Sequence, residues 1–251
     1  MTLDHEPFVA TTPPERDATR LVMHAHRSSD VWTWASAVAI AADLRRDLVV
    51  RPRTRLLVSA DAELAGTYKA LSKAPLDWDR VDVALVDEYW LLPDDPDSHA
   101  RFIRANLLHH HAAAARFEPL TQAGRRLEDA VAIANAHAQQ STNVLVLGMG
   151  GDGHTASLFA GALDLDRALA SRQPYVAIDS AAGPAGAPSR KRISLTPAGF
   201  ARARSRVLVI RGDEKRAALN RALACGSQTL WPILAAINID NGAPLHVHWC
   251  A

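Results

Sequence analysis

The stretch NVLVLGMGGDGHTASLF, Asn143 to Phe159, decides the fold. Its first five residues are a short apolar run of the kind that fills a strand covered on both faces. Gly148, Gly150, Gly151 and Gly153 follow at once. Such density is needed where the backbone takes positive φ or where a ligand must approach without meeting Cβ atoms. HTASLF then predicts a helix start, whose unpaired amides and dipole favour a negative group or a developing oxyanion. Ligands of an open α/β sheet sit at the carboxyl ends of its strands, so this turn is the candidate catalytic edge.

Outward from the turn, short apolar runs alternate with longer helical patterns, the signature of a mostly parallel sheet with helices on both faces. Strands are expected at Arg55–Ser59, Val81–Val86, Asn143–Leu147, Tyr175–Ile178 and Arg206–Ile210. Helices are expected at Ser29–Asp47, Glu63–Ser72, Ser98–Leu108, Arg125–Gln139, Ser157–Ala170 and Asp213–Ala224. The tail PLHVHWCA alternates apolar and polar positions and is expected to add an edge strand, while SAAGPAGAPS, Ser180 to Ser189, reads as a surface loop. The fold class is a doubly wound α/β sheet, with residues 1–251 as one domain and no internal repeat.

Apolar residues make up 48% and charged residues 22% of the chain, which excludes a disordered or fibrous protein. The 28 basic and 27 acidic side chains leave a net charge of +1, so no whole-molecule field attracts nucleic acid or a membrane surface. Any anionic ligand must be held locally. Cys225 and Cys250 lack the number and spacing of a disulfide framework or a metal site. With no basic, apolar leader at the start, a cytoplasmic location is expected. The apolar stretch from Trp32 to Ala42 is about half of what a bilayer span requires.

His154 sits at the mouth of the glycine turn, and an imidazole titrating near ~6.5 suits general-base activation of water. Asp152 can orient that imidazole or cap the following helix, and the sequence does not choose between them. Asp87 ends VDVALVD, where a carboxylate can reach the same crevice to polarise the histidine or bind a hydroxyl. Alternation turns Glu88 away from it. A dinucleotide site is disfavoured, because the G-x-G-x-x-G spacing falls past mid-chain with Asp152 and His154 inside it.

These residues resemble a known family. GMGGDGHTASLF is similar to the signature of 6-phosphogluconolactonases, within the wider group that includes glucosamine-6-phosphate deaminases. Upstream, LVDEYWLLPDDPDSHARFIRANLL resembles the family's block of D-E-R, V-P and P-D-S-N. Downstream, KRISLTPAGFARARSRVLVIRGDEKRAAL resembles its R-I-T-x-T and G-x-x-K-A-x-A-L segments. The resemblance spans about Arg55 to Leu223 in family order. It implies a Rossmann-like fold, hydrolysis of a sugar-phosphate δ-lactone in the pentose phosphate pathway, and no metal or organic cofactor. It also implies a small-molecule substrate as the only partner, beyond a monomer or weak homodimer. By the same resemblance His154 activates water at Gly150 and Gly151, and Arg192 and Lys215 hold the phosphate.

The first βα turn departs from the family. Where S-G-G-[ST]-x-P would wrap the phosphate in bare amides, this chain has Ser59, Ala60, Asp61, Ala62, Glu63 and Leu64. Asp61 and Glu63 are expected to repel a dianion. Tyr89 stands in place of the family's arginine and His99 in place of its asparagine. The pocket therefore reads as a working lactonase, as a lactonase scaffold adapted to another substrate or reaction by natural divergence or by engineering, or as a binding protein whose activity is lost; on the adapted reading Asp61 or Glu63 is the candidate base and Tyr89, His99, Tyr68 or Lys69 the candidate donor or nucleophile. The run His109–His111 does not suit a shared metal, because adjacent helical positions point apart.

Overall fold

A computed structural model describes residues 20–140, 144–180 and 191–251. The elements in chain order are β1 (Leu21–His26), α1 (Ser29–Val50), β2 (Thr54–Val58), α2 (Ala65–Leu71), β3 (Val81–Leu85), β4 (Asp87–Tyr89), α3 (His99–Asn106), β5 (Arg116–Glu118) and α4 (Leu127–His137). They continue with β6 (Val144–Leu147), α5 (Leu165–Leu169), β7 (Tyr175–Asp179), β8 (Lys191–Leu195), α6 (Pro197–Phe200), β9 (Ser205–Arg211), α7 (Asp213–Cys225), α8 (Leu234–Ile237) and β10 (Leu245–Cys250). Seven strands form a parallel sheet in the order β1-β10-β9-β6-β2-β3-β5, flanked by helices. The other three form a small antiparallel sheet, β4-β8-β7.

Every residue of β2, β3 and β6 is buried, which is why these runs are mostly apolar and do not alternate; the charged exceptions are paired, Arg55 with Glu118 and Asp82 with Arg53. α1 begins at the Ser28 cap, whose Oγ accepts from the Val31 amide, and lies across β1, β2, β6, β9 and β10. Buried Trp32, Ile40, Leu44 and Leu48 form its inner face. Among the described residues no helix is long and apolar enough to cross a membrane.

The order of the central strands positions the site. From β2 the chain runs to β3 and β5 on one side, then returns to β6, β9 and β10 on the other. The reversal between β2 and β6 opens a crevice at their carboxyl ends, where Ser59 and Gly148 emerge.

Several expectations need correction. No helix follows the glycine turn: the span expected at Ser157–Ala170 contains only α5. The hydroxyls there are engaged elsewhere, Thr155 Oγ1 on the Gly148 carbonyl at 2.9 Å and Ser157 Oγ on Asp87 at 2.6 Å. Ala156 takes a φ of 51°, and Thr155 and Leu158 form an isolated bridge. The tail does form a strand, but β10 is interior, flanked by β1 and β9. Tyr175–Ile178 belongs to the small antiparallel sheet, and so does Asp87, because VDVALVD breaks after Leu85. β1, β4, β5 and β8 were not read as strands. Residues 181–189 of the expected surface loop, like Asn143, lie outside the described residues.

Candidate active site

A cavity of about 250 Å³ sits over the crevice. Its wall includes Ser59 and Asp61 after β2, Asp87 and Tyr89 of β4, and His99 of α3. Gly150, His154, Phe159 and Arg192 complete the polar and aromatic lining. Residues read separately from the sequence thus share one space. Glu63, Gly151, Asp152 and Lys215 do not line it.

The glycine turn is closed by two backbone hydrogen bonds, Gly153 to the Gly150 carbonyl at 2.9 Å and Gly150 to the His154 carbonyl at 3.0 Å. Within it, Asp152 Oδ1 accepts from the His154 amide at 3.1 Å and lies 2.6 Å from His154 Nδ1. Asp152 therefore orients the imidazole, and there is no helix for it to cap. The hydrogen bond from His154 holds the Asp152 carboxyl down at about 2 against the opposing effect of partial burial. An ionised carboxylate only accepts, so Nδ1 carries a proton, and in the neutral imidazole the free lone pair is the one on Nε2. Gly150 makes this pairing possible, since a Cβ there would stand 2.2 Å from His154 Nδ1 and 2.5 Å from Asp152 Oδ1. Phe159 lies against the imidazole, with ring centres 4.5 Å apart.

Asp87 faces the same cavity but bonds elsewhere. Its Oδ2 accepts from Ser157, and His99 Nδ1 lies 3.6 Å from its Oδ1 and 2.8 Å from its carbonyl oxygen. Polarising the histidine falls to Asp152. Glu88, fully buried, accepts from the amides of Tyr89, His99 and Ala100 and from Ser98 Oγ, and so anchors the start of α3. Burial pushes its carboxyl pKa up, while His99 and these donors oppose the shift.

The two expected cations do not converge. Arg192 is 3% exposed, donates through Nε to Ser180 and through Nη1 to Ser157, and leaves Nη2 without an acceptor among the described residues. Lys215, in the first turn of α7, instead lies 2.9 Å from Glu63 Oε2 and 3.6 Å from Asp61 Oδ2. The departed loop thus sums to one negative charge with Lys215 included. Asp61 also caps the short 3-10 turn Ala62–Leu64 by accepting from the Glu63 amide. Ser59 Oγ is buried without a hydrogen-bond partner among the described residues. Tyr68 is buried with its hydroxyl on the Ser59 carbonyl at 2.6 Å, and Lys69 faces a groove between α1 and α2, so neither is a donor in this cavity.

Ser157 and Phe159 were missed as site residues, because reading HTASLF as a helix start hid their directions. Trp231, packed behind the turn, carries no local signal in the sequence. Among the described residues no three His, Cys, Asp or Glu side chains are grouped as metal ligands, and His109 bonds the Ala105 carbonyl.

The model of the glucosamine-6-phosphate isomerases/6-phosphogluconolactonase family matches residues 28–246. A 6-phosphogluconolactonase of Xylella fastidiosa (strain Temecula1) is 42% identical over 242 residues, covering 95% of this chain and 99% of the relative. One from Pseudomonas aeruginosa is 38% identical, covering 85% and 88% respectively. The crystal structure of a 6-phosphogluconolactonase from Shewanella baltica superimposes with a TM-score of 0.85 at 27% identity, covering 92% of this chain and 98% of that one. On the match to the family model and on identity along nearly the whole chain, this protein belongs to the glucosamine-6-phosphate isomerase/6-phosphogluconolactonase family.

Proposed function

We propose that this chain hydrolyses a sugar-phosphate δ-lactone to its open-chain acid, with His154 activating the attacking water. The observation that carries this reading is His154 in the wall of the cavity, with its imidazole held 2.6 Å from Asp152 behind it. Nε2 removes a proton from water as the oxygen adds to the lactone carbonyl. The tetrahedral intermediate then collapses, the bond from the carbonyl carbon to the ring oxygen breaks, and the imidazolium returns its proton to that oxygen. The change of charge stays on one imidazole, held beside a carboxylate that stabilises its protonated form. Arg192 holds the anionic end of the substrate, and Asp87 and His99 bind ring hydroxyls. Relatives named 6-phosphogluconolactonase support the substrate class, and sugar-phosphate metabolism in the cytoplasm goes with it.

A second reading is favoured by one observation, the engagement of Lys215 by Asp61 and Glu63. It removes a cation from the phosphate and leaves a carboxylate in the cavity wall. On that reading a naturally diverged pocket prefers a lactone without a phosphate. Hydrolysis of 6-phosphoglucono-δ-lactone measured beside glucono-δ-lactone, for the parent and for His154→Ala, separates the two. Rapid turnover of the first lactone and its loss in the variant supports the main reading. Preference for the second lactone supports the alternative, and no acceleration of either sinks both.

A further inference from the structure

Tyr89 and Arg192 are direct neighbours across the antiparallel pair β4 and β8. The Arg192 guanidinium carbon lies 3.9 Å from the centre of the Tyr89 ring and 4.9 Å from that of Phe159. Two aromatic faces thus bound a single cation that is almost wholly removed from water. No carboxylate is paired with it among the described residues. Hydrogen bonds to Ser180 and Ser157 fix Nε and Nη1, and Ser157 in turn donates to Asp87. The Tyr89 ring is itself held by an edge-on contact with His99, with ring centres 5.0 Å apart. His99 is anchored to Asp87 and, through its amide, to Glu88.

A buried guanidinium without a counter-ion is costly unless its surroundings replace the lost solvation. The negative faces of aromatic rings do so without neutralising the charge, which a carboxylate would. Lys215, by contrast, is engaged by two carboxylates. We propose that Tyr89 is a positioning and specificity residue for anion binding: its ring face holds the Arg192 guanidinium flat and charged in the cavity wall. This makes Arg192 the one Lys or Arg among the described residues of that wall ready for the anionic group of a substrate. The inference rests on the reading of Arg192 as the anion-holding group. The ring face, not the hydroxyl, is the working part, so phenylalanine should substitute for tyrosine and an aliphatic side chain should not.

The test is titration calorimetry with inorganic phosphate on the full chain and on Tyr89→Phe, Tyr89→Leu and Arg192→Gln, beside steady-state hydrolysis of 6-phosphoglucono-δ-lactone. The parent is expected to bind phosphate and Arg192→Gln to lose it. Tyr89→Phe should stay within about twofold of the parent, whereas Tyr89→Leu weakens binding roughly tenfold or more, the scale of a desolvated cation–ring contact. In hydrolysis that loss should appear in KM, with kcat changed by less than about threefold. Circular dichroism and thermal melting check that each variant is folded. Parental phosphate affinity in Tyr89→Leu, an equal loss in Tyr89→Phe, or no phosphate binding by the parent overturns the proposal. A parent that binds phosphate through Tyr89 and Arg192 yet hydrolyses no lactone leaves this inference standing and defeats the reading of function.

Discussion

The ring of Trp231 occupies the space that a side chain on Gly153 would need: an added Cβ would stand 2.4 Å from its Cε3 atom. Gly153 also has a φ of 79°, and its carbonyl accepts from the Ile233 amide at 2.9 Å. Two independent constraints therefore require glycine at one point of the turn that carries His154. Gly153→Ala is expected to cost about 2 kcal/mol or more in stability, from left-handed backbone strain and the clash together. It should also reduce kcat by displacing the imidazole. Thermal unfolding and turnover measured on the same variant check both; an alanine variant with parental melting and turnover defeats this account of the turn.

The hydrogen bond that the imidazole donates to Asp152 sets a second expectation. His154→Ala should lose roughly 10²–10⁴ in kcat, the range of a general-base contribution. Asp152→Asn should lose less, mainly in kcat, because the base remains but its tautomer and orientation are no longer held. Asp152 itself is held at about 2, below the usual 3.8. Its contribution to stability is thus complete above about 4 and lost as pH falls through about 2. It should add no step to the rate profile at neutral pH. A step that disappears in Asp152→Asn would show that the carboxylate titrates where the enzyme works.

The arrangement around Lys215 predicts a gain of binding on removing acids. In Asp61→Gly/Glu63→Ala, Lys215 has neither carboxylate, and the affinity for inorganic phosphate should tighten roughly tenfold or more at low salt. The effect should shrink as ionic strength rises. Calorimetry at two salt concentrations reads it directly. Unchanged affinity would mean that Lys215 cannot reach an anion in the cavity even when released.

Acid sensitivity is expected in a second hollow, lined by α1, β1, β9 and β10. His24 and His26 of β1 face His246 and His248 of β10, with His24 to His246 at 3.0 Å and His26 to His248 at 3.1 Å between ring nitrogens. Their rings stack at 4.7 to 5.3 Å. Asp43 and Arg46 from α1, with Arg204 and Ser205 at the start of β9, line the same hollow. Burial first, then the neighbouring histidines, lowers His248 from the usual 6.5 to about 3, and His26 and His246 are lowered too. A histidine lowered by folding binds its proton more readily when unfolded. The stability it contributes is therefore complete above about 6.5 and lost progressively as pH falls toward about 3. Melting temperature should drop across that window, and less steeply in His248→Gln. A parental acid profile in that variant would place the sensitivity elsewhere.

Much of the site was legible because chemistry confined to short segments announces itself. GMGGDGH held the turn and the pairing of His154 with Asp152; Ser59, Asp61, Asp87, Tyr89, His99 and Arg192 lie in the same cavity as His154. What escaped notice depended on contacts between distant segments. The helix expected after His154 fails because Ser157 bonds Asp87 and Thr155 bonds Gly148, partners supplied only by the tertiary fold. Lys215 looked like a free cation because nothing in KRAALNR reveals that Asp61 and Glu63 reach it. β4 and β5, each three residues long, are too brief for alternation to show. Trp231 lies far along the chain from the glycine against which it packs.

The interior position of β10 has a consequence for how the molecule is made. Among the described strands β1 hydrogen-bonds to β10 alone, in parallel, from Leu21 opposite Leu245 to His26 opposite Cys250. Among the described strands, β1 therefore has no partner until β10, at the far end of this sequence, has been made. During synthesis α1 can fold locally and β2, β3 and β6 can assemble, while LVMHAH waits as an unpaired ribbon. Joining strands so far apart in sequence makes closure of that edge a slow, late event. A stalled chain lacking Leu245–Cys250 would carry both an orphaned first strand and a bare flank on β9, surfaces on which nascent chains aggregate or are captured by chaperones.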